Sequence, residues 1–501
     1  MRRATEWRSF TAAGRPVGAV MIGVGVMTAL CALVAIIWDL VDPDPTLPTG
    51  GGISTLLAAA TSCALGLLAY AYGRRAKRRE LNRREALLSV SLIWLGAGVC
   101  GGLPFVFGAG LGPADALFEA VSGLTTTGAT VIGDIEDRLS RPLLLWRSMS
   151  QWLGGMGIVV LFVAVFPSLG AGGKHLYRGE APGAQAEGFS PRIAETSITL
   201  WKFYTAFTVL EFIVLIALGM DAFEALCHAL TTMSTGGFST RDGSVGGFGV
   251  PAYEWTIGTF MFIASINYGL FYIALRKKDL GTFWRNIEFK TYIGICALSV
   301  VLLTLLNLDI HEDFASSARY AYFMVATTVS STGYGADDYT AWGGVAFSIL
   351  IMLMFVGGCS GSTAGGIKIE RVVMLAKQTV AQMKRSFEPS VVQVVRMGRT
   401  SVPRDVLADV AVFFVIYMAS MAFGVVFIVG IEHVPLPTAF GAMLTCLSNM
   451  GPAPFFDDHF SADNFAAYGS GAKVFFVLMM LLGRLEFFTL FALLIPGFWR
   501  R

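Results

Sequence analysis

RYAYFMVATTVSSTGYG, residues 319–335, is the stretch on which the fold turns. It opens as an apolar segment too short to cross a bilayer and closes on a glycine-bearing turn. Three other stretches align with it without gaps: DALFEAVSGLTTTGATV (115–131), EALCHALTTMSTGGFST (224–240) and TAFGAMLTCLSNMGPAP (438–454). With SSTGY (330–334) as the guide, Gly333 falls opposite Gly128, Gly237 and Gly451. A motif recurring at intervals of roughly 100 residues is an internal repeat.

The surroundings of these stretches are those of a membrane protein. The 501 residues are 54% hydrophobic and 14% charged, with 37 Lys+Arg against 35 Asp+Glu, and the mean hydropathy is +0.63. Soluble domains carry about 25% charged residues, and disorder needs low hydrophobicity, so both classes are excluded. The near-neutral balance gives no sign of a nucleic-acid partner. The 7 cysteines are scattered in apolar surroundings without a CxxC pair and read as packed free thiols. No metal-ligand spacing of His and Cys occurs, and no nucleophile–base constellation suggests an enzyme.

A bilayer core takes about 20 helical residues. Ten segments qualify: 17–38, 53–73, 86–108, 143–167, 196–219, 254–276, 290–310, 342–366, 405–431 and 472–497. The first exceeds a signal-peptide core and lacks a clean cleavage site, so it reads as a retained span. The connections alternate in charge. RRAKRRELNRRE (74–85) holds seven basic residues, and 276–290 and 377–404 are also basic. The opposite set carries Asp39, Asp42, Asp44, Asp134, Glu136, Asp137, Asp337, Asp338, Asp457 and Asp458. Basic loops stay inside, which predicts cytoplasmic termini and an outer acidic face.

Each outer connection from 115 onward thus carries one short apolar segment. About 12 helical residues rise ~18 Å, half the bilayer, which predicts a half-helix entering from outside and a glycine-bearing return. Asp115, Asp221 and Asp313 stand near three of the starts, either as capping charges or as ion contacts. Two spans per repeat put all four returns on one side, so the repeats are direct. The expected fold is an all-α polytopic membrane protein with four helix–pore-loop–helix repeats around one pore and two extra N-terminal transmembrane helices. Its divisions are 1–85 for the extra element, then 86–175, 176–280, 281–400 and 401–501 for the repeats.

Glycine admits positive φ and bares its carbonyls. A return of alternating backbone geometry can turn successive carbonyl oxygens toward an axis, and four such returns make an oxygen cage for a dehydrated monovalent cation. Residues 331–335, STGYG, resemble the potassium-channel filter TVGYG; TTGAT, TGGFS and NMGPA are degenerate versions. The competing reading is four outer turns whose glycines serve tight geometry alone. The expected filter residues are Thr126, Thr127 and Gly128; Thr235, Gly236 and Gly237; Ser331, Thr332 and Gly333; and Asn449, Met450 and Gly451, with K+ as the ion held.

The chain is similar to the TrkH-type potassium-translocating subunits of the Trk/Ktr/HKT superfamily over nearly its whole length. Beyond the four returns, WRSMSQWLGGMGIVVLF (146–162), GGCSGSTAGGIKIER (357–371) and GRLEFFTLF (483–491) carry the resemblance. It implies potassium uptake at a bacterial inner membrane, with a glycine at every filter position going with potassium preference. NMGPA departs most from that pattern. The resemblance also implies a homodimer and a separate cytosolic ring of nucleotide-binding regulatory subunits. No cofactor is expected in this chain.

Two further features lie below the expected filter. GGCSGSTAGG (357–366) puts Gly357, Gly358, Gly361, Gly365 and Gly366 inside the eighth span. Each glycine costs a helix about 1 kcal/mol relative to Ala. The segment is therefore either a site of close helix packing or, as the resemblance implies, a hinged intramembrane gating loop, with Lys368 anchoring its inner end. Arg484 interrupts the last span. It serves either as a packed charge paired with carbonyls or a carboxylate, or as an electrostatic barrier beside the gating loop. Glu486 cannot share its helix face. The leading function is channel-like potassium uptake; the alternative is a potassium symporter coupled to sodium or protons.

Overall fold

A computed structural model of the chain describes residues 2–499 apart from 44–46, 49, 76–81, 158–192, 312, 390–393, 399, 452–463 and 486. The described residues are helical almost throughout; a short antiparallel pair, Arg396–Met397 with Thr400–Ser401, is the exception. Residues 76–81 of the basic 74–85 loop, the acidic Asp44, Asp457 and Asp458, and Glu486 lie outside the described residues.

Helices α1 (Arg2–Val41) and α2 (Gly52–Gly73) form the N-terminal element. They meet backbone to backbone. Gly14 and Gly18, one turn apart, face Gly66 and Gly73; a Cβ on Gly18 would collide with Gly66 O, and one on Gly73 with Arg15 N. Lipid supplies no hydrophobic drive between helices, so this close approach gains its stability from dispersion contacts.

Each repeat then runs span, half-helix, return, span. The first uses α3 (Arg83–Ala109), α4 (Pro113–Leu124) and α5 (Arg141–Gly155). The second uses α6 (Ile193–Ala217), α7 (Ala222–Met233), α8 (Pro251–Ala264) and α9 (Tyr268–Lys277). The third uses α10 (Ile287–Leu306), α11 (Phe314–Val329), α12 (Gly344–Val356) and α13 (Ile369–Phe387). The fourth uses α14 (Arg404–Glu432), α15 (Leu436–Ser448), α16 (Ser470–Arg484) and α17 (Phe488–Leu494).

The half-helices α4, α7, α11 and α15 are 12, 12, 16 and 13 residues long, all too short to span. Two of the three acidic starts are caps. Asp221 accepts from Phe223 N and Glu224 N, and Asp313 accepts from Ser316 N at 2.6 Å. The Ser316 bonds hold the exposed Asp313 carboxyl below the usual carboxylate range. Asp115 lies inside the first turn of α4 and is bound to Lys473 Nζ at 2.6 Å, so none of the three faces the returns.

Among the described residues, six helices are long and apolar enough to cross a bilayer unbroken: α1, α2, α3, α6, α10 and α14. The other four expected spans are the second spans of the repeats, and here the structure corrects the sequence reading, which placed a break in the eighth span alone. The sixth span bends by 83° between α8 and α9, the eighth opens at 357–368, and the tenth is interrupted between Arg484 and Phe488. In the fourth, α5 ends at Gly155, and residues 158–167 of the expected span lie outside the described residues. Apolar side chains such as Leu30, Ile37, Leu68, Leu298, Val415 and Val426 stand exposed around the helices, as a lipid-facing surface requires. The cysteines are free, and all but the half-buried Cys63 are buried.

Candidate functional site: a ring of four returns

The returns follow the C-termini of the half-helices and repeat one backbone conformation. Thr126, Thr235, Ser331 and Asn449 are all left-handed, with φ of 56, 55, 58 and 52°. Two residues on, Gly128, Gly237 and Gly333 have φ of 80, 78 and 86°. The residue between is tied back to its half-helix by the same bond in every repeat: Thr127 N to Ser122 O, Gly236 N to Thr231 O, Thr332 N to Thr327 O and Met450 N to Thr445 O, at 2.8–3.0 Å. Gly451 is not among the positive-φ residues, so the fourth return, whose remainder 452–454 lies outside the described residues, departs here from the other three.

The four glycines close a ring. A Cβ on Gly128 would collide with Gly236 O and approach Gly451 Cα to 3.3 Å. One on Gly237 would collide with Thr332 O, and one on Gly451 would lie 3.3 Å from Gly333 Cα. The order is therefore first, second, third, fourth and back to the first. Side chains larger than hydrogen have no room at Gly128 and Gly237. The half-helix C-termini bring their partial negative charge toward this ring.

The segment 357–368 lies against the ring from the far side of the half-helix ends. Gly365 N donates to Ser331 Oγ at 2.6 Å, and Gly366 N to Ser448 O at 2.9 Å. Thr363 Oγ1 donates to Met233 O or Ala264 O, both 3.2 Å away. Cys359 N donates to Ser265 O at 2.9 Å, Ser360 N to Glu288 Oε1 at 2.6 Å, and Gly361 O accepts from Tyr268 N. Gly357, Gly361 and Gly366 have positive φ, as does Lys368 at 75°. Gly358 packs against Ser265 and Ala364. Lys368 N donates to Val356 O across the neck of the loop.

Arg484 joins three repeats. Its guanidinium donates to Thr363 O at 3.1 Å in the third, and to Gly154 O and Gly155 O at 2.7 and 2.9 Å in the first. It thus pairs with carbonyls, one of them in the 357–366 segment itself. Gly154 O and Gly155 O lie in the last turn of α5, and Gly154 O also accepts from Gly157 N at 2.9 Å.

Three residues that carry the ring were not singled out from the sequence. Arg147 Nε binds Glu119 Oε1 at 2.7 Å with both side chains fully buried, Arg147 Nη1 donates to Ser239 O at 2.9 Å, and the guanidinium lies 3.7 Å from the Phe238 ring centroid. Glu119 also accepts from Thr130 Oγ1 and Val131 N. Gln151, one turn beyond Arg147, reaches Gly236 O and Phe238 N. The available signal was two polar residues at i and i+4 in the apolar WRSMSQWLGG run, which puts them on one helix face. Glu119 is the first-repeat member of a position filled by His228, Met324 and Ala442 in the others; His228 Nε2 sits 3.0 Å from Ser239 Oγ.

The buried pair generates a prediction. Arg147→Met leaves the Glu119 carboxylate without its cation and should destabilise the protein by about 3–5 kcal/mol. Adding Glu119→Gln should return most of that loss. Thermal unfolding in detergent checks both, and equal stability of the single and double variants would contradict it.

The family model "TrkH: Cation transport protein" matches residues 58–497. The chain is 37% identical over 501 residues to the Trk system potassium uptake protein TrkH of Salmonella typhimurium, covering 98% of this chain and 99% of that one. It is 39% identical over 437 residues to the protein of the same name from Escherichia coli, covering 85% and 88%. The crystal structure of the potassium transporter TrkH from Vibrio parahaemolyticus superposes with a TM-score of 0.85 at 31% identity, over 98% of this chain and 99% of that one. With four matching returns, an interrupted eighth span and similarity along the whole length, the chain belongs to the TrkH family of cation transport proteins.

Proposed function

We propose that this protein carries potassium into a bacterial cell through the ring of four returns, in channel-like fashion, with residues 357–366 as the gate. The relatives' names supply the ion. The observation that carries the reading is the alternation of positive and non-positive φ over residues 126–128, 235–237 and 331–333, joined in one ring by the left-handed Asn449 of the fourth return. That alternation suits rows of carbonyl oxygens able to replace a hydration shell. Thr126, Thr127 and Gly128, with their counterparts Thr235, Gly236, Gly237, Ser331, Thr332, Gly333, Asn449, Met450 and Gly451, form the filter. Gly128 and Gly237 serve because a side chain would displace a neighbouring carbonyl.

The gate sits where the segment 357–366 meets the ring. Its bonds to Ser331, Ser448, Ser265 and Met233 are each worth about 1 kcal/mol net. A ligand that prefers one of two states by about 5.5 kcal/mol inverts a 1:99 population, so a closure held by a few such bonds is within a partner's reach. Arg484 places a fixed positive charge beside the path, repelling cations. The partner proposed is a cytosolic ring of nucleotide-binding subunits on a homodimer, docking on the basic ends of α9 and α13, with both termini on that cytoplasmic side.

Cation flux in proteoliposomes tests the filter. Gly128→Ser and Gly237→Ser should raise sodium flux relative to potassium, and an unchanged ratio in both, with normal folding, removes the filter. Imposed gradients separate pore from symporter: potassium should never move against its own electrochemical gradient, and proton-driven accumulation would establish coupling.

Arg484→Ala and, separately, a deletion within 357–366 should each raise potassium flux. If both leave transport unaltered in folded protein, the gate lies elsewhere.

For the partner, charge reversal at Arg276, Lys277, Lys278, Lys384 and Arg385 should abolish co-purification of the nucleotide-binding ring while leaving membrane insertion intact. Undiminished co-purification would place the docking surface elsewhere.

A further inference from the structure

Gly236 differs from its counterparts. Thr127, Thr332 and Met450 stand at the same position of the other returns, so the return does not itself demand glycine there, and Gly236 does not have positive φ. The reason lies in another repeat. A Cβ on Gly236 would collide with the amide of Gln151, from α5 of the first repeat.

Gln151 is fully buried, and both ends of its amide are engaged on this one return. Nε2 donates to Gly236 O at 2.7 Å, and Oε1 accepts from Phe238 N at 3.1 Å. The first bond holds the peptide before Gly237 and the second holds the peptide after it. Gly237, at φ 78°, has no side chain to limit rotation of either peptide. The amide therefore supplies from outside the restraint that the glycine lacks. Because an amide offers a donor at one end and an acceptor at the other, the clamp fixes both the position and the sense of the two peptides. Arg147, on the same face of α5, adds a third hold at Ser239 O and stacks on Phe238.

The other returns are held differently. The first is braced by Glu119, and the third by Ser244 Oγ, which accepts from Gly335 N at 3.1 Å. At the fourth return Asn449 Nδ2 reaches Thr127 Oγ1 and Met480 O. The sequence degeneracy of the four returns is thus matched by four different supports, and the second return alone carries a side-chain amide across its left-handed glycine among these described contacts.

We propose that Gln151 is a specificity-determining positioning residue: by clamping both peptides that flank Gly237, it sets the carbonyl geometry of the second return and with it the preference for potassium over sodium. This rests on the filter reading above. A row of carbonyls held in place keeps the spacing of a larger dehydrated ion, and a row free to rotate collapses onto a smaller one.

The test uses the full chain in proteoliposomes, with Gln151→Leu and Gln151→Asn. Leu removes both bonds at similar volume, and Asn is one methylene too short to span the two peptides. Each should lower the potassium-to-sodium flux ratio by about tenfold, the effect of losing roughly one buried hydrogen bond. A second readout does not depend on transport: potassium should raise the melting temperature of the purified wild type more than sodium does, and this difference should disappear in both variants. Gly236→Thr should act like Gln151→Leu by displacing the amide, and Gln151→Ala combined with it should restore the missing space without restoring selectivity. An unchanged ratio and an unchanged ion-specific stabilisation in Gln151→Leu and Gln151→Asn, alongside an altered ratio in Gly237→Ser, would overturn the inference and leave the filter standing. An unchanged ratio in Gly237→Ser as well would mean that the filter reading itself has failed.

Discussion

Backbone at membrane depth must have its hydrogen bonds satisfied inside the protein, and this constraint governs the whole structure. Four half-helices are too short to span, and every group they leave unpaired has to be met locally. The bond from residues 127, 236, 332 and 450 back to their half-helices does this identically in each repeat. The left-handed residues 126, 235, 331 and 449 follow from it, because a chain that turns back on its own helix end must pass through positive φ. Three of these four are Thr or Ser, and the strain of placing them there is sustained because the ring over-determines it.

The same requirement explains why the second spans are interrupted. At the end of α5, Gly154 O and Gly155 O accept from Arg484, and near the break between α8 and α9, Ala264 O and Ser265 O accept from the 357–366 segment. The 357–366 segment, Arg484 and the helix ends form one hydrogen-bonded unit, in which Thr363 both donates to carbonyls of the second repeat and receives the guanidinium from the fourth. A movement of the loop would therefore release groups in several repeats at once. That coupling gives a single segment leverage over the whole ring.

Much of this arrangement was legible in the sequence, because glycine spacing and hydropathy are local signals. The four stretches align on Gly128, Gly237, Gly333 and Gly451, and the glycine run at 357–366 announces its own break. The other breaks carry no such mark. Ser265-Ile266-Asn267 interrupts an apolar run with one capping residue, Asn267, which accepts from Gly269 N. At the last break Phe487 holds φ 56°, a conformation that no phenylalanine advertises. The supports of the ring were equally hidden. Glu119 and Arg147, or Gln151 and Gly236, lie on different helices, and only the packing of repeat against repeat brings them together. The acidic starts of the half-helices could be read as caps or as ion contacts; the structure makes two of them caps and gives the third, Asp115, to Lys473.

The central claim is that the four returns bind a monovalent cation on their common axis. Anomalous diffraction from crystals of the protein grown in rubidium, a heavier stand-in for potassium, tests it most directly. The account predicts a peak on the axis at the level of residues 126–128, 235–237, 331–333 and 449–451, lost when sodium replaces rubidium. A ring without a peak in rubidium, or ions bound only elsewhere in the protein, would contradict it.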